Sequence, residues 1–97
     1  MPNDASGDRI HITILEQEQC HFCREAYALL DQLCTEYPLD IVRESLDSPA
    51  GQQLAIRHGI LFAPGILIDG EFFSYGRVSE RKLRRDLWRR QSLSERR

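Results

Sequence analysis

The sequence predicts an α/β fold in which strands and helices follow one another in the order β-α-β-α-β-β-α. Isoleucines at every second position from Ile10 to Ile14 indicate a first strand. Apolar residues then recur at steps of three and four between Ala26 and Tyr37, which is typical of an amphipathic helix. Later, Asp69-Gly70 separates two apolar runs and predicts a β-hairpin. A short chain that alternates between the two periods in this way favours an α/β domain.

The first three elements have clear boundaries. A strand is expected over residues 9–16, and apolar residues on both of its faces suggest that the strand is covered on both sides. The following helix starts near Cys20 and runs to Glu36, because the residue before Pro38 disfavours helical geometry. A second strand is then predicted from Leu39 to Glu44.

The middle of the chain predicts a helix and a hairpin. Ser48 is a suitable N-cap, the proline after it suits the first helical position, and Gly59 ends the helix. A compact apolar run over residues 65–68 predicts a buried strand, and the hairpin turn leads from it into a partner strand over residues 71–75.

A third helix is predicted after Gly76. Ser79 is its expected N-cap. Leu83 and Leu87 form its inner stripe, and Trp88 is expected to widen that stripe.

Length and composition predict one domain. The 97 residues can fold around a single core, and we expect a disordered leader over residues 1–8, a folded domain over 9–90 and a flexible tail over 91–97. The N-terminus has neither the basic nor the apolar region of a signal peptide, and no apolar run approaches the length of a membrane span. We therefore expect a cytoplasmic, monomeric protein without a membrane partner.

Cys20 and Cys23 form a C-x-x-C pair where the first strand gives way to the first helix. Unpaired backbone N–H groups and the macrodipole at a helix N-terminus favour a thiolate over a thiol. A thiolate is the nucleophile of disulfide exchange, and a second thiol one turn away can resolve the mixed disulfide. The pair therefore predicts dithiol redox chemistry.

Metal binding is the main alternative for this pair, because C-x-x-C is also half of a zinc site. Cys34 would lie about 16 Å further along the helix axis than Cys23, too far to share a metal or a disulfide with it. The three histidines have no recognisable ligand spacing, so no metal site is expected within the chain, and an iron–sulfur cluster between two subunits remains as an alternative. Cys34 itself is interpreted as a small core residue, with regulatory oxidation as the alternative.

Charge is distributed unevenly along the chain. Residues 1–80 contain 5 Lys/Arg and 13 Asp/Glu, a net charge of −8, whereas residues 81–97 contain 8 and 2, a net charge of +6. Three interpretations of the basic last helix are open: a solvent-exposed surface, a docking surface for an acidic protein, or a surface that contacts nucleic acid. Nucleic acid is the least favoured partner.

The C-x-x-C after the first strand, the proline directly before the third strand and the Asp-Gly before the fourth together resemble the thioredoxin superfamily, closest to its small glutaredoxin-like branch. The resemblance covers residues 9–90. It implies a four-stranded mixed sheet flanked by three helices and a thiol–disulfide oxidoreductase that needs no cofactor. Its partners would be a substrate and an electron donor. The substrate would be a disulfide-containing protein or a small-thiol disulfide.

The resemblance also implies roles for individual residues. Cys20 would be the attacking thiol and Cys23 the resolving thiol, with a cis Ala63-Pro64 bond packed against them. The backbone of Ala63 would be exposed for pairing with a substrate segment. Gly65 stands where a larger residue is common, which predicts a more open groove floor. The chain differs from glutaredoxins in lacking their Pro-Tyr between the cysteines and their Gly-Gly-x-Asp segment.

Two neighbours of the cysteines complete the predicted site. A protonated His21 would lower the pKa of the Cys20 thiol, and the alternative is a solvent-facing histidine without a role. Phe22 is expected to offer partners an apolar contact, and the alternative is a packed ring. The rival function for the whole chain is a binding module on the same fold that docks a protein or nucleic acid through the basic last helix.

Overall fold

The computed structural model describes residues 9–95, with side chains to residue 93, so the predicted leader lies outside the described residues. The element order is the predicted one. The bounds are β1 Ile10–Glu16, α1 His21–Leu33, β2 Leu39–Ser45, α2 Pro49–His58, β3 Gly65–Ile68, β4 Glu71–Tyr75 and α3 Glu80–Glu95.

The four strands form one mixed sheet in the order β2-β1-β3-β4. β1 and β2 are parallel, and β3 runs antiparallel to both β1 and β4. Leu15 near the end of β1 lies opposite Gly65 at the start of β3. The residues that follow β1 and the residues that precede β3 therefore lie at the same edge of the sheet. The predicted four-stranded mixed sheet with three helices is confirmed.

Alternating side chains of β1 and β3 supply two separate apolar clusters. Ile12 and Ile66 point to the larger cluster, which contains the buried faces of α1 and α3. Leu15 and Leu67 point the other way and pack with residues of α2 and the segment after it. The prediction that β1 is covered on both faces is confirmed, and the sheet is the middle of three layers.

Local signals place the ends of α2 and the hairpin as predicted. The Ser48 hydroxyl accepts a 2.9 Å hydrogen bond from the Gly51 N–H, and Gly59 ends the helix at φ 69°. Asp69 and Gly70 have φ of 51° and 80°, the left-handed conformation that a two-residue hairpin of this type requires.

The third helix begins at its predicted cap and is longer than expected. The Ser79 hydroxyl accepts a 3.2 Å hydrogen bond from the Lys82 N–H. The helix then continues to Glu95, through the first five residues of the segment predicted to be a tail. Mobility of residues 91–97 stays a prediction.

Three sequence predictions about helix faces and ends are wrong. The first helix ends at Leu33 instead of Glu36, because the N–H groups of Thr35 and Glu36 bond to carbonyls three residues back in tight turns. Cys34 is exposed at this C-cap and is not a core residue. Trp88 is 62% exposed, since the adjacent Leu87 takes the buried position and the next residue on a helix is rotated by about 100°.

Candidate redox site

Cys20 and Cys23 are joined in a disulfide at the N-terminus of α1, with their Cα atoms 5.1 Å apart. Cys20 is the N-cap residue of the helix and has extended backbone geometry. Its Sγ atom accepts a 3.1 Å hydrogen bond from the Cys23 backbone N–H. A sulfur in this position lies at the positive end of the helix dipole, which favours the thiolate when the disulfide is reduced.

The two sulfurs differ in accessibility. Cys23 belongs to the buried side of α1 and is only 2% exposed, whereas Cys20 is partly exposed. An incoming thiol or disulfide can therefore reach Cys20, and Cys23 is shielded by the fold. This difference is the geometry that a pair of attacking and resolving thiols needs.

The Ala63-Pro64 peptide bond is cis and directly precedes β3. This loop lies at the sheet edge that carries the residues after β1, because Gly65 pairs with Leu15. The Pro64 carbonyl accepts a 2.9 Å hydrogen bond from the Gly76 N–H, which ties the loop to the segment after β4. Contact of Pro64 with the cysteines stays a prediction.

The structure corrects the expectation of an open groove beside this loop. Ala63 is only 6% exposed. A Cβ atom added to Gly65 would lie 2.8 Å from the Ile60 Cγ2 atom. The missing side chain at Gly65 therefore makes room for Ile60, and the groove floor is filled from within the protein.

His21 and Phe22, the residues between the cysteines, have partners of their own. The His21 Nε2 atom lies 3.0 Å from the Glu25 Oε2 atom, and the histidine side chain is 69% exposed. Phe22 is partly buried, and the guanidinium of Arg77 lies 5.4 Å from the centre of its ring. These contacts do not test the predicted tuning of the Cys20 thiol by His21 or the predicted partner contact of Phe22. They do show that the Phe22 ring faces a cation.

A cleft of about 340 Å³ opens beside the disulfide. Glu16, at the end of β1, lines this cleft and accepts a 2.8 Å hydrogen bond from Arg43 Nε and a further one from the Tyr27 hydroxyl. The Arg43 guanidinium also lies 4.2 Å from the centre of the Tyr27 ring. This Glu–Tyr–Arg cluster has no signal in the sequence, because its members come from three separate elements and have no motif spacing.

Among residues 9–93, no three or more His, Cys, Asp and Glu side chains are grouped so that they could hold a metal ion. Within the same part of the molecule, no helix is both long enough and apolar enough to cross a membrane.

Part of the basic character of α3 is used to hold the fold together. Arg84 forms ion pairs with Glu36 and Glu80 at 2.7 and 2.8 Å. Arg90 lies within 3.1 Å of Asp69 and 2.8 Å of Glu71, which fixes the helix to the β3–β4 hairpin.

The remaining cations of α3 lie on its outer surface. Among the residues with described side chains, Arg81, Lys82 and Arg85 form no ion pair, and all three are exposed. Trp88 is exposed on the same helix.

Comparison with known proteins identifies the fold. No protein-family model matches the chain, and no curated protein matches it. A solved structure of a single-site mutant of thioredoxin from Halobacterium salinarum NRC-1 is similar, with a TM-score of 0.68 and 18% sequence identity over 91% of this chain and 80% of that one. The chain therefore has the thioredoxin fold. The resemblance drawn from the sequence is confirmed at the level of architecture.

Proposed function

We propose that the protein is a thiol–disulfide oxidoreductase that cycles between a Cys20–Cys23 disulfide and a dithiol. The observation that supports this best is the unequal exposure of two bonded sulfurs at a helix N-terminus. Cys20 is accessible and is placed where backbone N–H groups stabilise a thiolate, while Cys23 is buried one turn further on.

The reaction in the reducing direction has two exchange steps. The Cys20 thiolate attacks one sulfur of a target disulfide, the target S–S bond breaks, and one target thiolate leaves. The Cys23 thiolate then attacks the Cys20 sulfur of the mixed disulfide and expels the second target thiolate. Two electrons pass to the target, the protein ends as the disulfide, and a dithiol electron donor regenerates it by the reverse exchange.

Neighbouring residues are assigned supporting roles in this proposal. The loop that ends in Ala63 and Pro64, which are themselves buried, supports the surface on which the target segment lies, and Phe22 adds an apolar contact. His21 stabilises the Cys20 thiolate when it is protonated, although Glu25 at 3.0 Å offsets part of that charge. The substrates are disulfide-containing proteins or the disulfides of small thiols, and the cellular role is redox homeostasis in the cytoplasm.

Within the superfamily we favour the glutaredoxin-like branch. The compact order of four strands and three helices supports this assignment. The segment Tyr75 to Ser79 differs from the Gly-Gly-x-Asp pattern expected of glutathione-binding members, so protein disulfides are the preferred substrates.

Reduction of insulin disulfides tests the proposal. The protein should be assayed with a dithiol reductant in a Cys34→Ser background, because Cys34 is an exposed thiol that could react independently. We expect insulin reduction to be accelerated by the parent protein and to return to the uncatalysed rate with Cys20→Ser. Equal rates for both proteins would reject the function.

A binding module is the second candidate, and the outer surface of α3 favours it. Arg81, Lys82 and Arg85 are exposed and unpaired among the described side chains, next to an exposed Trp88. Such a surface suits an acidic protein partner more than nucleic acid, since residues 1–80 carry a net charge of −8 and repel a long polyanion. Binding that weakens with salt but survives loss of both active-site cysteines would favour this function.

A further inference from the structure

The surface beside the disulfide contains a cation that lies over an aromatic ring and forms no ion pair with a described side chain. Arg77 follows β4, is exposed, and places its guanidinium 5.4 Å from the centre of the Phe22 ring. We infer that Arg77 selects disulfide substrates that carry a negative charge beside the attacked sulfur. The inference rests on the proposed function and assigns a substrate class to the same site.

Three chain segments that are distant in sequence meet at this surface. Phe22 lies between the two cysteines in the first turn of α1. Gly76 donates a hydrogen bond of 2.9 Å to the Pro64 carbonyl, and a Cβ atom on Gly76 would lie 2.9 Å from the Phe62 ring. Arg77 comes directly after this contact. It therefore bridges the disulfide turn and the loop that is proposed to position the substrate.

The ring holds the guanidinium without consuming its hydrogen-bond donors. A cation within about 6 Å of a ring centre is attracted to the face of the ring. The N–H donors of arginine lie in its plane and can bind a carboxylate in a bidentate manner while the plane stacks. Among the side chains described, no carboxylate forms an ion pair with Arg77. Its charge is thus available to a ligand.

The acidic side chains near the cysteines do not cancel this charge. Glu16 is bound by Arg43 at 2.8 Å, and Glu25 lies 3.0 Å from His21. Glu18 lines the cleft beside the disulfide and has no ion-pair partner among the described residues. The exposed Arg24 lines the same cleft as Glu18 and also forms no ion pair with a described side chain, so Glu18 has a cation in its own cleft and Arg77 is the cation that lies over Phe22.

Small symmetric disulfides of equal length and different charge test the inference. The probes are 3,3′-dithiodipropionate with two carboxylates, bis(2-hydroxyethyl) disulfide without charge, and cystamine with two ammonium groups. Pre-reduced protein reacts with each in a single turnover, in which two protein thiols become a disulfide and the probe becomes two thiols, so no electron donor is needed. Acid quenching and mass spectrometry give the rate. All proteins carry Cys34→Ser.

The variants are Arg77→Gln and, as a control for net charge, Arg57→Gln, an exposed residue in the last turn of α2. We expect Arg77→Gln to slow the reaction with dithiodipropionate about fivefold, the size of one charge contact in water, and to leave the neutral disulfide within about twofold. Cystamine should react at least as fast as before. Arg57→Gln should change none of the three rates by more than about twofold, and added salt should remove the effect of Arg77→Gln.

The outcomes separate this inference from the proposed function. If reduced protein reacts with none of the three probes through Cys20, the proposed function fails. If it reacts with all three but Arg77→Gln changes them by the same factor, or changes none, the assignment of Arg77 is overturned and the exchange chemistry stands. Arg77→Lys should restore part of the preference for dithiodipropionate, because it keeps the charge and loses the planar fork.

Discussion

The backbone N–H of Cys23 donates a 3.1 Å hydrogen bond to the Sγ atom of Cys20, so one sulfur of the disulfide is also the N-cap of α1. The cap and the redox centre are therefore the same atom. A serine at this position can keep the capping bond and loses only the sulfur chemistry, because serine is a preferred N-cap residue. An alanine loses both.

This double role predicts different stabilities for two variants that are equally inactive. Cys20→Ala should be less stable than Cys20→Ser by about 1 kcal/mol, the usual contribution of an N-cap side chain. Both variants lack the disulfide, so their difference isolates the cap. Urea unfolding followed by circular dichroism measures it, and equal midpoints and slopes for the two variants would mean that the capping bond contributes nothing.

The unequal exposure of the sulfurs predicts which variant traps a substrate. With Cys23→Ser, the mixed disulfide on Cys20 cannot be resolved and should accumulate as a stable adduct, because the exposed sulfur attacks and the buried one is gone. With Cys20→Ser, Cys23 is 2% exposed and little adduct should form. Mass spectrometry after incubation with an oxidised substrate, in a Cys34→Ser background, gives both amounts. Faster adduct formation at Cys23 would reverse the assignment of the two thiols.

The third helix offers a matched pair for packing. Leu83 is fully buried against the sheet, whereas Trp88 on the same helix is 62% exposed. Leu83→Ala should lower the free energy of unfolding by about 2–5 kcal/mol, and Trp88→Ala by less than about 1 kcal/mol, although it removes the larger side chain. Urea unfolding followed by circular dichroism is suitable, since fluorescence would lose its single tryptophan in the second variant. A larger loss for Trp88→Ala would place that ring in the core after all.

Local sequence signals predict the element order and most boundaries because each depends on neighbouring residues. The caps at Ser48 and Ser79, the turn at Asp69 and Gly70 and the two-sided burial of β1 all follow from the residue types themselves.

The misses have two causes, one that is local to a helix and one that depends on contacts between distant segments. Periodicity alone could not show that α1 ends at Leu33, three residues before the predicted Glu36. It also could not show that Trp88 points away from the sheet. In the site, the cysteine pair was predictable from its spacing. The contact of Arg77 with Phe22 was not, because it joins residues more than fifty positions apart.

The close approach of Gly51 in α2 to the end of β2 has no signal in the sequence. It predicts that replacing this glycine by alanine changes stability in the direction opposite to the usual one. Glycine to alanine within a helix normally stabilises a protein by about 0.5–1 kcal/mol. Here a Cβ atom would lie 1.9 Å from the Ser45 carbonyl oxygen at the end of β2, so the helix would have to move. Gly51→Ala should therefore destabilise the protein, by about 1–3 kcal/mol. Gln53→Ala, an exposed change in the same helix, is the control and should be close to neutral. Stabilisation by Gly51→Ala would show that the close approach of α2 to β2 is not required.

The ion pair between α3 and the turn after α1 predicts a change in titration. Arg84 donates a 2.7 Å hydrogen bond to Glu36, and this bond holds the pKa of the Glu36 carboxyl below its ordinary value of about 4.5. A carboxyl whose pKa is lower in the folded state stabilises the protein above its unfolded pKa, and that contribution is lost as the pH falls through the folded pKa. Arg84→Gln should raise the pKa of Glu36 toward its ordinary value and weaken the acid dependence of stability between about pH 5 and the folded pKa.

Arg85→Gln removes the same charge one residue away from the pair and should leave the pKa of Glu36 unchanged. The carboxyl carbon shift of Glu36, followed by NMR against pH in all three proteins, decides the matter: an identical midpoint in the parent and Arg84→Gln would mean that this pair does not persist in solution.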